Sequence, residues 1–189
     1  MSVGALHDRL LAHPPRRGAP ALLCITGASG AGKTAALATV RQRIESRILP
    51  LLHLDSLGVP STEEMELGWD SGRAWQKAMT WHWVRTAITV YRTRPLVLFE
   101  GQFDPQYALA ACTANGLRHK IALLDVDAST RKQRLERRDQ PQLATDDMTT
   151  WAAYLRETTP QYGGVIVDAT PELEIVVDKL CALALELVS

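Results

Sequence analysis

The chain has 189 residues, of which 22% are charged and 46% hydrophobic, a composition typical of one compact domain and too apolar for a disordered protein. Lysine plus arginine and aspartate plus glutamate number 21 each, so the chain as a whole has no electrostatic reason to bind nucleic acid or an acidic membrane. No apolar stretch approaches the roughly 20 residues that span a bilayer, and charged residues occupy the place of a signal peptide's apolar core. We therefore expect a cytoplasmic protein without nucleic-acid or membrane partners.

The chain begins with a predicted short helix and a buried strand. Apolar side chains recur at helical spacing over residues 3–12, and prolines then interrupt the chain, so residues 1–20 are expected to form an appendage. Residues 21–26 form a short, continuous and mainly apolar run, as in a parallel strand that is covered on both faces. A glycine-rich loop follows, and then a helical pattern from Lys33 to about Arg47.

The rest of the chain alternates between predicted strands and helices. Further short, mainly apolar runs, each followed directly by a polar residue, lie at 49–54, 96–99, 121–126 and 165–167. Helical patterns lie at 75–91, 104–113, 129–138, 145–158 and 171–187, and a long polar loop is expected after the second strand. This alternation predicts a five-stranded parallel sheet with helices on both faces. The polar residues that follow the strands should therefore meet at one edge of the sheet.

A phosphate-binding motif lies between the first strand and the helix after it. The eight residues match G-x-x-x-x-G-K-[ST] in the required strand-loop-helix context. Glycines let main-chain N–H groups point at phosphate oxygens, and the helix N-terminus adds its positive end. Lys33 is expected to reach the β- and γ-phosphates, and the Thr34 hydroxyl to bind Mg²⁺. The predicted site for a purine nucleoside triphosphate comprises Gly27, Ala28, Ser29, Gly30, Ala31, Gly32, Lys33 and Thr34.

Over residues 21–189 the chain resembles the P-loop nucleoside/nucleotide-kinase-like superfamily, particularly its small shikimate, gluconate and chloramphenicol kinases. The phosphate loop carries the resemblance, and the polar residues after the strands fit it by position. It implies a three-layer α/β/α sandwich with strand order 2-3-1-4-5, a short lid at about 129–145, and ATP as donor. It also implies that Asp55 contacts the acceptor hydroxyl, where a carboxylate accepts or orients the proton. The alternative for Asp55 is a cap or loop residue.

The third strand resembles a Walker-B-type strand, in which the terminal acid holds Mg²⁺. Glu100 stands where many of these kinases have aspartate, so it is either a metal or acceptor contact or a structural carboxylate. The resemblance places the acceptor-binding insertion at about 56–76, where Trp69 is a stacking residue or a packing anchor and Arg73 fits one anionic group of the acceptor. Asp104 is either a helix N-cap or an acceptor contact.

Four arginines follow the fourth strand, namely Arg131, Arg134, Arg137 and Arg138. The resemblance implies that arginines here close over the transferring phosphate, and Arg134 and Arg138 are the candidate catalytic members. The alternative is a solvated helix. After the fifth strand, Thr170 and Pro171 occupy the loop that borders the adenine in related kinases.

The leading functional hypothesis is a kinase that transfers phosphate to a small molecule. The alternative is a nucleotide-binding regulatory protein, or a slow ATPase, without a small-molecule acceptor. A GTPase is disfavoured because the sequence contains no N/T-K-x-D guanine signature. Neither the acceptor nor the oligomeric state follows from the sequence.

Overall fold

The computed structural model describes residues 3–12, 19–44 and 48–189. The strands in these ranges are β1 (Ala21–Thr26), β2 (Leu51–His53), β3 (Leu96–Gly101), β4 (His119–Asp125) and β5 (Val165–Asp168). The helices are α1 (Val3–Ala12), α2 (Lys33–Ile44), α3 (Thr62–Trp69), α4 (Gly72–Val90), α5 (Pro105–Ala114), α6 (Ala128–Glu136), α7 (Asp146–Gln161) and α8 (Leu173–Val188). A 3-10 turn at Pro141–Leu143 joins α6 to α7. The predicted end of α2 near Arg47 lies outside the described residues.

The strands form one parallel sheet in the order β2-β3-β1-β4-β5, which confirms the predicted α/β/α fold and strand order. All six residues of the central strand β1 are buried, and its side chains alternate between the two faces. Leu23 and Ile25 belong to one core cluster with α1, α2 and α8, whereas Leu22 and Cys24 belong to a second cluster with α4 and α5. None of the helices in the described ranges has both the length and the apolar character required to cross a membrane.

Helix α1 corrects the expectation that residues 1–20 form an appendage. Its apolar side Val3, Leu6 and Leu10 is buried in the same core cluster as α2 and α8, and Leu6 is fully inaccessible. Arg9 Nε donates a hydrogen bond to the carbonyl of Val188, 3.0 Å away, in the last turn of α8. The described part of the segment is therefore part of the hydrophobic core.

Helix α3 corrects the expectation of a long loop after the second strand. A capping box starts this helix: Glu64 N donates to Ser61 Oγ at 3.2 Å, and Ser61 N donates to Glu64 Oε2 at 2.7 Å. No residue of α3 is buried, so the helix has no side that faces the core and that an amphipathic pattern would mark in the sequence. Asp70, in the left-handed conformation with φ 70°, ends it, and α4 follows three residues earlier than predicted.

Candidate functional site

The phosphate loop runs from the end of β1 to the start of α2, at the carboxyl edge of the sheet. A Cβ atom at Gly27 would lie 2.6 Å from the carbonyl oxygen of Leu124. At Gly30, where φ is +83°, a Cβ atom would lie 2.7 Å from Arg131 Cγ and 2.9 Å from its carbonyl oxygen. The loop therefore packs closely against the end of β4 and against α6, and only glycine fits at these two positions.

Lys33, the first residue of α2, folds back over this loop. Its ammonium group donates to the carbonyl oxygens of Gly27 at 2.6 Å and Ala28 at 3.3 Å. The pKa of Lys33 is lowered to about 8, mainly by burial; the charges of Glu100 and Asp55 partly oppose this shift, and the charge of Arg138 adds to it. The structure thus brings the predicted lysine, both predicted carboxylates and one predicted arginine into a shared electrostatic environment.

Glu100 is held by a partner that the sequence analysis missed. Its side chain is 8% exposed, and Oε1 lies 2.7 Å from His53 Nδ1. His53 and Glu100 are register partners of the parallel strands β2 and β3, so both side chains leave the sheet at the same level. The contact depends on this register, which the sequence alone does not specify. Two residues are suited to Mg²⁺. Glu100 offers its carboxylate oxygens, and Thr34, an exposed residue in the first turn of α2, offers its hydroxyl.

Asp104 is the N-cap of α5, as one of its two predicted alternatives stated. Its Oδ1 accepts the amide of Gln106 at 2.9 Å, and its Oδ2 accepts the hydroxyl of Tyr154 at 2.6 Å. Burial and this hydrogen bond raise the pKa of Tyr154 to about 12. Both carboxylate oxygens of Asp104 are thus engaged within the protein, which favours the cap over the acceptor contact.

The other predicted acceptor residues lie on three different segments of the chain. Asp55 is exposed in the turn after β2, and Trp69, the last residue of α3, is 37% exposed. Arg73, in the first turn of α4, lies with its guanidinium carbon 5.7 Å from the centroid of the Tyr154 ring. On α7, Trp151 stacks on Tyr154 with a centroid distance of 5.4 Å. Arg73 is thereby linked to α7, and the direct acceptor contacts of Asp55, Trp69 and Arg73 stay predictions.

The four arginines of the predicted lid have different environments. Arg131 is 3% exposed and donates to the carbonyl of Met148 at 3.3 Å and to Thr149 Oγ1 at 2.7 Å, so it joins α6 to the first turn of α7. Arg134 instead donates to the carbonyls of Ala31 and Ala169. Arg137 and Arg138, the last two arginines of the four, are exposed.

A cavity of about 220 Å³ lies beside the phosphate loop. Its walls include Gly32, Ala35, Arg134, Arg138, Ala169 and Pro171. Two predicted arginines and a proline of the predicted adenine-bordering loop therefore meet at the N-terminal end of α2. Thr170 is exposed, and its amide donates to Asp168 Oδ1 at 2.9 Å, a contact that shapes the turn before Pro171.

No family model and no curated protein matches this sequence, but solved structures match its fold over most of their length. A gluconokinase from Sinorhizobium meliloti 1021 is 19% identical with a TM-score of 0.60, covering 91% of this chain and 95% of its own. A sugar kinase from Janibacter sp. HTCC2649 is 17% identical with a TM-score of 0.62, covering 89% and 95%. A shikimate kinase from Bacteroides thetaiotaomicron is 20% identical with a TM-score of 0.58, covering 88% and 98%.

This chain has the P-loop kinase fold. The predicted resemblance to gluconate and shikimate kinases is therefore confirmed at the level of the fold. In this fold the cavity beside Pro171 and the turn that carries Asp55 lie near the phosphate loop, on the edge of the sheet where the strands end.

Proposed function

We propose that this protein is a kinase that uses Mg²⁺ and ATP to phosphorylate a hydroxyl group of a small molecule. The observation that carries the proposal is a complete phosphate loop, with its lysine in place, beside a cavity lined by two guanidinium groups and a proline. A cavity of about 220 Å³ with flat guanidinium groups on its wall suits a purine ring next to the phosphates. The solved structures with this fold include a gluconokinase and a shikimate kinase.

The residues of the site divide the chemistry between them. The main-chain amides of the loop bind phosphate oxygens, and Lys33 exchanges its contact with the Gly27 carbonyl for the β- and γ-phosphates. Thr34 and Glu100 would hold Mg²⁺, which would supply further charge neutralisation. Arg134 and Arg138 border the nucleotide, where planar, permanently charged groups also reach phosphate oxygens.

In the transfer step, the acceptor oxygen bonds to the γ-phosphorus while the bond from that phosphorus to the bridging oxygen breaks. The bond electrons leave with ADP, and the hydroxyl proton passes to Asp55, an exposed carboxylate that can release it to solvent. Catalysis by this site is mainly positioning and electrostatic stabilisation.

Substitution of Asp55 distinguishes the kinase proposal from a regulatory nucleotide-binding protein or a slow ATPase, because only the kinase needs a general base for an acceptor hydroxyl. Under the kinase proposal, Asp55→Asn retains Mg·ATP binding, because Asp55 is not part of the phosphate loop. It slows acceptor-dependent ADP formation by about 100-fold or more, because the general base is lost. Calorimetry measures binding, and a coupled ADP assay with nucleosides, sugars, hydroxy acids and antibiotic alcohols measures turnover.

Asp178→Asn is the matched control, since Asp178 is an exposed residue of α8, the helix that follows the last strand. It should leave both binding and turnover unchanged. Lys33→Ala should weaken Mg·ATP binding or abolish turnover. If Asp55→Asn phosphorylates an acceptor at the parent rate, Asp55 is not the base. If no acceptor in the panel raises ADP formation by the parent protein, the regulatory or ATPase alternative replaces the kinase. If Lys33→Ala binds and hydrolyses ATP normally, both are rejected.

A further inference from the structure

A chain of side-chain hydrogen bonds joins helix α4 to the phosphate loop. The amide nitrogen Nε2 of Gln102, two residues after Glu100, donates to Ser29 Oγ in the phosphate loop at 3.0 Å. Gln76 of α4 donates from Nε2 to the carbonyl of Gln102 at 2.7 Å and accepts the amide of Asp104 on Oε1 at 3.0 Å. Both ends of the Gln76 side chain are therefore bonded to the main chain around residue 103.

The segment 102–104 is also fixed from the sheet side. Thr26, the last residue of β1, donates from its hydroxyl to the carbonyl of Phe103 at 2.7 Å and accepts the amide of Phe103 at 3.3 Å. The Phe103 ring is fully buried and stacks on Phe99, with ring centroids 4.8 Å apart. Since Asp104 additionally caps α5, the main chain that carries Gln102 is held on both sides. A side chain on such a rigid support has a defined reach.

We propose that Gln102 is a further catalytic residue, which contacts the transferring phosphoryl group, and that Gln76 is its positioning residue. The inference rests on the proposed kinase function. A glutamine amide offers two N–H donors and an acceptor oxygen. Donation to Ser29 uses one N–H at the rim of the phosphate loop, and the second N–H donates to an oxygen of the transferring phosphoryl group. Gln102 exchanges no proton, because an amide does not titrate, so the acceptor proton still passes to Asp55.

The test compares three substitutions of glutamine in the full-length protein. Gln102→Ala should lower kcat by about 100-fold, the typical loss for one preorganised donor in a transition state. It should leave Kd for Mg·ATP nearly unchanged, since the main-chain amides and Lys33 remain. Gln76→Ala should lower kcat by about tenfold because Gln102 is then less well oriented. Gln106→Ala is the matched control, since Gln106 is exposed and only its backbone contacts Asp104.

ADP release is measured with the acceptor found in the panel or, if none is found, with water as acceptor. Thermal melting is measured alongside to separate catalysis from folding. A normal kcat in Gln102→Ala overturns the inference alone and leaves the kinase proposal intact. A loss of kcat that is explained by a smaller fraction of folded protein, as thermal melting measures it, does the same. A parent protein that fails to bind Mg·ATP overturns the kinase proposal and the inference together.

Discussion

At the scale of single residues, Lys33 lies among charges of both signs. Lys33 donates to two loop carbonyls and shares its surroundings with Glu100, Asp55 and Arg138. Burial makes the ammonium form costly, and the neighbouring carboxylates only partly offset that cost. Nucleotide phosphates bring more negative charge than these carboxylates, so binding should restore the preference of Lys33 for its proton.

The lowered pKa of Lys33 predicts a pH dependence of nucleotide binding. With a pKa of about 8 in the free protein, the ammonium fraction falls as pH rises above that value, whereas the bound form keeps the proton. Affinity for ATP should therefore drop by about tenfold between about pH 7 and about pH 9. Calorimetry with ATP in the presence of EDTA, and therefore without Mg²⁺, measures this change in affinity.

Lys33→Met is the control for this prediction, because it removes the titrating ammonium. Its affinity should be weaker than that of the parent protein and should lack the decrease across the same pH range. A parent protein whose ATP affinity stays constant from about pH 7 to about pH 9 would show that the free ammonium does not titrate there.

The sequence predicts residues of the site well where the signal is local. The phosphate loop is one continuous motif, so its position between β1 and α2 was predictable. The His53–Glu100 contact was not, because it depends on the register of two strands that lie 47 residues apart in the chain. For Asp104, which precedes Pro105, the sequence fits a cap and a ligand equally, and the Tyr154 contact comes from a distant helix.

At the scale of elements, helix α6 shows what periodicity leaves open. Spacing puts Arg131, Arg134 and Arg138 on one side of the helix, but it does not say what that side meets. In the structure Arg131 bonds α7, while Arg134 and Arg138 line the cavity. For α3 the sequence does contain a local signal, the S-x-x-E capping box at Ser61. The helix buries no residue, so it needs no apolar side, and its sequence gives no amphipathic pattern from which to predict it.

This difference predicts separate effects for two neighbouring arginines. Arg131→Met should lower the free energy of unfolding by about 1–3 kcal/mol, because two hydrogen bonds to α7 are lost. It should leave Mg·ATP affinity nearly unchanged. Arg134→Met should weaken Mg·ATP binding by about tenfold or more, because it lines the cavity and ties Ala31 to Ala169.

Urea unfolding and calorimetry on the same preparations measure both quantities. Arg137→Met is the control, since Arg137 is exposed at the end of α6, and it should change neither. If Arg131→Met loses nucleotide affinity while its stability is kept, Arg131 belongs to the nucleotide site and our assignment of the two roles is wrong.

At the scale of the whole molecule, the alternation of strands and helices predicted the sheet, and the resemblance predicted its order. The packing of α1 was not predictable in the same way. Its apolar side is evident from the sequence, but the surface that covers it is built by α2 and α8, and α8 lies at the opposite end of the chain. A helix separated from the first strand by prolines gives no local sign that it returns to the core.

The buried side of α1 predicts a large loss of stability on truncation. Leu6→Ala should lower the free energy of unfolding by about 2–5 kcal/mol, because a fully buried side chain leaves a cavity. Leu11→Ala in the same helix is the matched control, since Leu11 is 58% exposed and should cost less than about 0.5 kcal/mol. Urea unfolding compares the two, and equal small losses would show that α1 is dispensable.

The hydrogen bond from Arg9 to Val188 joins residues 179 positions apart. Closing so long a segment has a high entropic cost and is compensated only once the sheet between them has formed. The contact between α1 and α8 is therefore expected to form late during folding.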